Sequence, residues 1–76
     1  MPMPLTMTNE GKSVVLYEIR GGMGIRRRLA DMGLHRGSKL KVISNSRGGP
    51  FVISIGETKL MIGRGMAQKI MVEDTQ

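Results

Sequence analysis

His35 is the one imidazole in a chain of 76 residues that has no cysteine. A tetrahedral nitrogen and sulfur centre needs several such ligands, so no metal site of that kind can be assembled, and His35 is expected in a solvated turn. Nucleophilic sets of the Ser-His-Asp or Cys-His type are not expected on the same count. The six acids are scattered over turns, strand, helix and tail rather than paired at catalytic spacing. The chain therefore reads as non-enzymatic, with no cofactor. Met1, Met3 and Met7 lie close enough to suggest a thioether site, whose soft ligands would suit Cu(I). Of the other methionines, Met32 and Met66 are expected to fill a core. Some of Met23, Met61 and Met71 are expected to form an adaptable apolar contact surface.

Two glycine motifs invite phosphate or nucleic-acid readings and fail in context. Gly11-Lys12-Ser13 has the ending of a phosphate-binding loop, but Thr6 stands where that motif needs glycine, and a strand pattern follows where it needs a helix. Gly21-Gly22-Met23-Gly24 matches the glycine frame of a KH-domain loop, which joins two helices, whereas this segment leaves a strand. A flexible strand-to-helix turn is expected instead. The cations say more. Lysine and arginine number 12 against 6 acids, a formal charge of +6, and this favours an anionic partner: nucleic acid, an acidic protein face or the inner leaflet.

The elements that must position these residues follow from periodicity. Met1-Pro2-Met3-Pro4 predicts an extended lead-in, with Leu5 and Met7 covering one end of a barrel. Val14, Val15, Tyr17 and Ile19 predict a strand from Lys12 to Arg20, its alternation blurred by Leu16. Ile25, Leu29 and Met32 fall on one helical face and turn Arg26, Arg27 and Arg28 elsewhere. Gly33 then suits a left-handed residue after the helix, with Leu34 folded back on Leu29 in a Schellman ending. Arg27 and Asp31 are spaced to pair across a turn. Leu40 and Val42 alternate with Lys39 and Lys41, and Phe51, Ile53 and Ile55 alternate after the Arg47-Gly48-Gly49-Pro50 turn. Gly56-Glu57 predicts a tight hairpin returning through Leu60 and Ile62. Met66, Ala67 and Ile70 predict one turn of helix or 3-10 helix before a closing strand, Met71-Val72-Glu73, with Asp74, Thr75 and Gln76 frayed.

The expected fold is mainly β: a small five-stranded, partly closed barrel with one short α-helix and a 3-10 or helical turn. One domain over 1–76 is expected, ordered over roughly 5–73. No apolar run approaches the roughly 18 to 20 residues that span a bilayer, and Met1 to Glu10 lacks the features of a secretory leader, so a cytoplasmic location is expected.

A strand ending in Gly21-Gly22, then Arg28-Leu29-Ala30-Asp31-Met32-Gly33-Leu34, then Arg36-Gly37, then Gly63-Arg64-Gly65-Met66-Ala67-Gln68-Lys69-Ile70-Met71-Val72 form an ordered set that resembles the FeoA family. Arg28, Leu29, Gly33, Leu34 and Gly37 match the family's central pattern, and the resemblance runs from about Leu5 to Glu73. It implies a five-stranded SH3-like barrel in the cytoplasm that acts beside FeoB, the membrane permease for Fe(II) with a cytosolic guanine-nucleotide-binding domain. The same barrel forms the carboxy-terminal domain of repressors resembling DtxR; here no DNA-binding segment precedes it, and the stand-alone form is expected. Position 36 is often proline in the family, so Arg36 adds a charge to the helix-to-strand turn.

Two functions from different classes follow. In the first, a protein-interaction module docks on the cytosolic part of the permease through Arg26, Arg27, Arg28, Arg36, Arg64, Met23 and Met61, and sits at the inner face of the membrane through that partner. In the second, a basic barrel binds nucleic acid through these arginines with Lys39, Lys41 and Arg47. The second is disfavoured because single-strand binders stack bases on exposed rings, and Phe51 and Tyr17 both read as core. Methionines on a glycine-rich surface also permit weak self-association.

Overall fold

The alternating segments become strands whose apolar side chains meet in one core. The computed structural model describes residues 1–75. Its strands are β1 (Met3–Pro4), β2 (Ser13–Ile19), β3 (Lys39–Asn45), β4 (Phe51–Ile55), β5 (Thr58–Ile62) and β6 (Ile70–Asp74). All neighbours are antiparallel, in the order β1-β6-β2-β3-β4-β5. Leu40, Val42, Phe51 and Ile53 are buried, while Lys39 and Lys41 stay in solvent, as the period of two requires. Gly56, at φ +61°, and Glu57 make the two-residue link between β4 and β5.

The blurred alternation of β2 has a definite cause. Leu16 pairs with Val72 and Glu18 with Met71, so Tyr17 is an extra residue on its strand. Val14 and Leu16 point into the core before this bulge, and Ile19 does so after it. Tyr17 itself is half-buried rather than in the core, which corrects the sequence reading. A second bulge lies at Ile43, because Val42 pairs with Ile53 and Ser44 with Val52. Such bulges bend and twist a strand, and here they let a short sheet curl around its core.

Helix α1 (Met23–Asp31) packs Leu29 fully into that core, with Ile25 and Met32 against its edge. Its ending is the predicted one: the Leu34 amide donates to the Leu29 carbonyl at 2.8 Å and the Gly33 amide to Ala30 at 2.9 Å, with Gly33 at φ +91°. The Arg27–Asp31 pair does not form. Among the described residues the ion pair is Lys12–Asp74 at 3.0 Å. Both partners are about half exposed, so it contributes little.

The ends depart from expectation. Pro4 and Met3 pair with Met71 and Val72, so the lead-in supplies a sixth strand. The 3-10 turn falls at Leu5–Met7, with Leu5 fully buried and Met7 exposed. The later turn, α2 (Arg64–Ala67), is α-helical, and Ile70 opens β6 instead of lying on it. Asp74 belongs to β6, and the Thr75 hydroxyl donates to the Ser13 carbonyl at 3.1 Å, so neither is frayed; Gln76 lies outside the described residues. Met71 is buried beside β2 and is not part of any contact surface.

Two glycine substitutions should act in opposite directions on stability. Gly33→Ala places a Cβ in the left-handed region and should cost about 1 to 2 kcal/mol. Gly24→Ala, in α1 with open space around it, should stabilise by up to about 1 kcal/mol. Urea unfolding of the two variants would show the opposite signs if the helix limits are as described.

Candidate functional site

The arginine run on α1 does not make one patch. At about 100° per residue, Arg27 points roughly 160° away from the buried Leu29, while Arg26 and Arg28 fall on opposite flanks of the helix. All three are exposed, as is Met23 at the first turn. Of the three, Arg26 borders a groove. That groove is an open pocket of about 300 Å3, lined by Leu16, Tyr17, Glu18, Ile19, Arg26 and Arg36.

Its floor exists because of the β2 bulge, which turns Tyr17 outward beside Glu18. Its rim is set by the turn after α1. The Leu16 amide donates to the Ser38 carbonyl at 2.8 Å, and the Gly37 amide donates to the Leu16 carbonyl at 2.8 Å. Ser38 fixes the turn from inside: its hydroxyl donates to the Gly33 carbonyl at 3.1 Å and accepts from the His35 amide at 3.0 Å. Arg36 is thereby held with its guanidinium carbon 5.1 Å from the centre of the Tyr17 ring. Two arginines and a tyrosine face one glutamate, and among the described residues neither arginine has a carboxylate partner. The arrangement suits a carboxylate flanked by apolar groups: bidentate pairing from the arginines, a ring wall from Tyr17. Sequence reasoning named both arginines but missed Tyr17; the missing period in β2 was the signal available.

His35 is exposed in the turn, its Nδ1 3.3 Å from the Arg36 carbonyl oxygen, and no group of three or more His, Cys, Asp or Glu among the described residues is placed to hold a metal ion. Met61 is exposed on β5, away from the groove residues.

Arg64 has a different task from the one its type suggested. Its Nη2 donates to the Asn45 side-chain oxygen at 2.7 Å and to the Ser46 carbonyl, and its Nε donates to the Gly49 carbonyl at 3.3 Å. The guanidinium also lies over Phe51, 5.6 Å from the ring centre. All this ties α2 to the β3–β4 turn. Arg64→Met should therefore cost about 1 to 3 kcal/mol, since acceptors at this half-buried site lose their donor. In a domain this small that lowers the unfolding temperature by roughly 4 to 8 °C per kcal/mol, readable by circular dichroism. Arg64→Lys should recover only part, because one ammonium cannot span the three acceptors.

A family model described as FeoA domain matches residues 3–74. A Methanocaldococcus jannaschii protein named for Fe(2+) transport, as transport protein A, is 48% identical over 73 residues, 96% of this chain and 88% of that one. A crystal structure of a protein described as iron uptake regulatory protein (FeoA) is similar over 96% of both chains, with 34% identity and a TM-score of 0.85. A manganese-dependent transcriptional repressor shares the fold at a TM-score of 0.87 and 21% identity, over 96% of this chain and 41% of its own. With an SH3-like barrel of this topology, and with family and sequence matches across nearly its whole length, the chain belongs to the FeoA family.

Proposed function

We propose that the chain is a cytoplasmic accessory module for Fe(II) uptake that acts by docking on the cytosolic part of a FeoB-type permease, not by catalysis. The observation that carries this reading is the groove in which Arg26 and Arg36, without a carboxylate partner among the described residues, lie beside the half-buried Tyr17. Family membership supplies the transport setting. An acidic segment of the partner would place a carboxylate between the two guanidinium groups and an apolar side chain against the exposed part of Tyr17. Arg27 and exposed Met23 would then steer and widen the contact. The nucleic-acid reading is weaker: Phe51 is fully buried, and Tyr17 is half-buried with Arg36 over its ring, so neither ring is the open stacking platform that single-strand binders use.

Calorimetric titration into a detergent-solubilised FeoB-type permease, at about 0.15 M salt to damp nonspecific attraction, tests the reading. Saturable binding is expected. The Arg26→Glu/Arg36→Glu variant should bind at least about ten-fold more weakly, whereas Arg28→Glu, on the far flank, should change affinity by less than about three-fold. Binding untouched by the double reversal, or no binding with or without guanine nucleotide, would remove the groove from the account.

A further inference from the structure

Three of the five lysines, Lys39, Lys41 and Lys59, lie on the outer face of β3–β5, and that face carries its own apolar row. On the solvent side of β3, β4 and β5 the register aligns Lys41, Ser54 and Lys59 across the three strands. Beside them run the bulged Ile43 with Ser44, then Val52, then Met61. Ile43 is 37% exposed and Met61 69%, although both are large apolar residues. Lys39, two residues before Lys41 on the same strand face, extends the basic side toward an open depression that also borders Val15 and Ser54. The core takes the opposite row, Val42, Ile53 and Leu60, so nothing in the fold requires these outer residues to be apolar.

Three features choose the occupant. Lysine is depleted at protein–protein interfaces, whereas its flexible stem can lie along apolar surface while the ammonium reaches a headgroup. This outer face has no aromatic ring on which a base could stack. Local acids do not cancel the charge: Asp74 is already held by Lys12, Glu73 lies on β6, and Glu57 sits at the tip of the β4–β5 hairpin. From this we infer that the outer face of β3–β5 rests on an anionic membrane surface. Lys39, Lys41 and Lys59 meet lipid phosphates while Ile43, Val52 and Met61 press into the headgroup boundary. The contact is weak alone, each lysine contributing about five-fold in partition. It becomes effective for a chain held near the bilayer by another attachment. The inference does not depend on the permease groove, which uses other residues.

The chain has no tryptophan, so one introduced ring reports its own surroundings. Met61→Trp and Met23→Trp, both at exposed positions, would be titrated with vesicles of phosphatidylglycerol and phosphatidylcholine, and with phosphatidylcholine alone, at about 0.1 M salt. A blue shift is expected for the reporter at position 61 on anionic vesicles only. Replacing Lys39, Lys41 and Lys59 by Gln should lower partition by about one hundred-fold, and replacing Arg26, Arg27 and Arg28 by Gln, with the same loss of charge, by less than about ten-fold. No shift, an equal shift at position 23, equal losses from the two triple variants, or lysine-dependent retardation of polyuridylic RNA without vesicle binding would each overturn the inference.

Discussion

A six-stranded antiparallel sheet that curls around one core without pairing its end strands leaves a seam, and the rest of this small structure depends on closing it. The ends are β1 and β5. Each is continued by a single turn, Leu5–Met7 after β1 and α2 after β5, and these two turns pack on each other. Leu5 and Ala67 enter the core there, both fully buried. The polar side of the closure is centred on Asn45. Its side-chain nitrogen donates to the carbonyls of Thr8 at 2.7 Å and Thr6 at 3.3 Å, and its oxygen accepts from Arg64. The Asn45 amide donates to Glu10 at 2.9 Å. One residue at the end of β3 thus binds the amino-terminal turn, the loop ahead of β2 and α2. A chain this short has little core to spare, so satisfying these groups together matters more than any one of the bonds.

The two bulges connect this frame to its surfaces. Closing the barrel needs strand curvature, and an extra residue in β2 and in β3 supplies it. Each extra residue is then left outside the regular ladder. In β2 it is Tyr17, which becomes a wall of the arginine groove; in β3 it is Ile43, which becomes part of the exposed apolar row. The same device that shapes the barrel therefore contributes one residue to the arginine groove and one to the exposed apolar row.

Much of the frame was legible in the sequence because local physics dictated it. Gly33 followed by Leu34 could only end the helix, and Leu40 with Val42 and Phe51 with Ile53 keep the period of two that marks a strand. What was not legible depends on long-range pairing. The two-residue β1 has no strand signal of its own and exists because β6 offers an edge to it. Ile70 fits a helical spacing with Met66 but is claimed by the ladder with Ile19. Tyr17 looked like core because a bulge cannot be read from one strand without its partner. For the site, residue types put Arg26 and Arg36 among seven candidate contact residues, but charge alone could not show that these two line one groove or separate them from Arg64. That distinction required knowing that Asn45, Ser46 and Gly49 converge beneath it.

The central claim is that partner binding is concentrated where α1, the turn after it and the β2 bulge meet. Amide chemical-shift mapping of the isotopically labelled chain, titrated with the soluble cytosolic part of a FeoB-type permease, tests it most directly. The account predicts that the changes cluster at Tyr17 to Ile19, Met23 to Arg28 and His35 to Gly37, and leave the β4–β5 hairpin unmoved. Changes centred on that hairpin or on the Arg47 to Gly49 turn, or no changes at saturating partner, would contradict it.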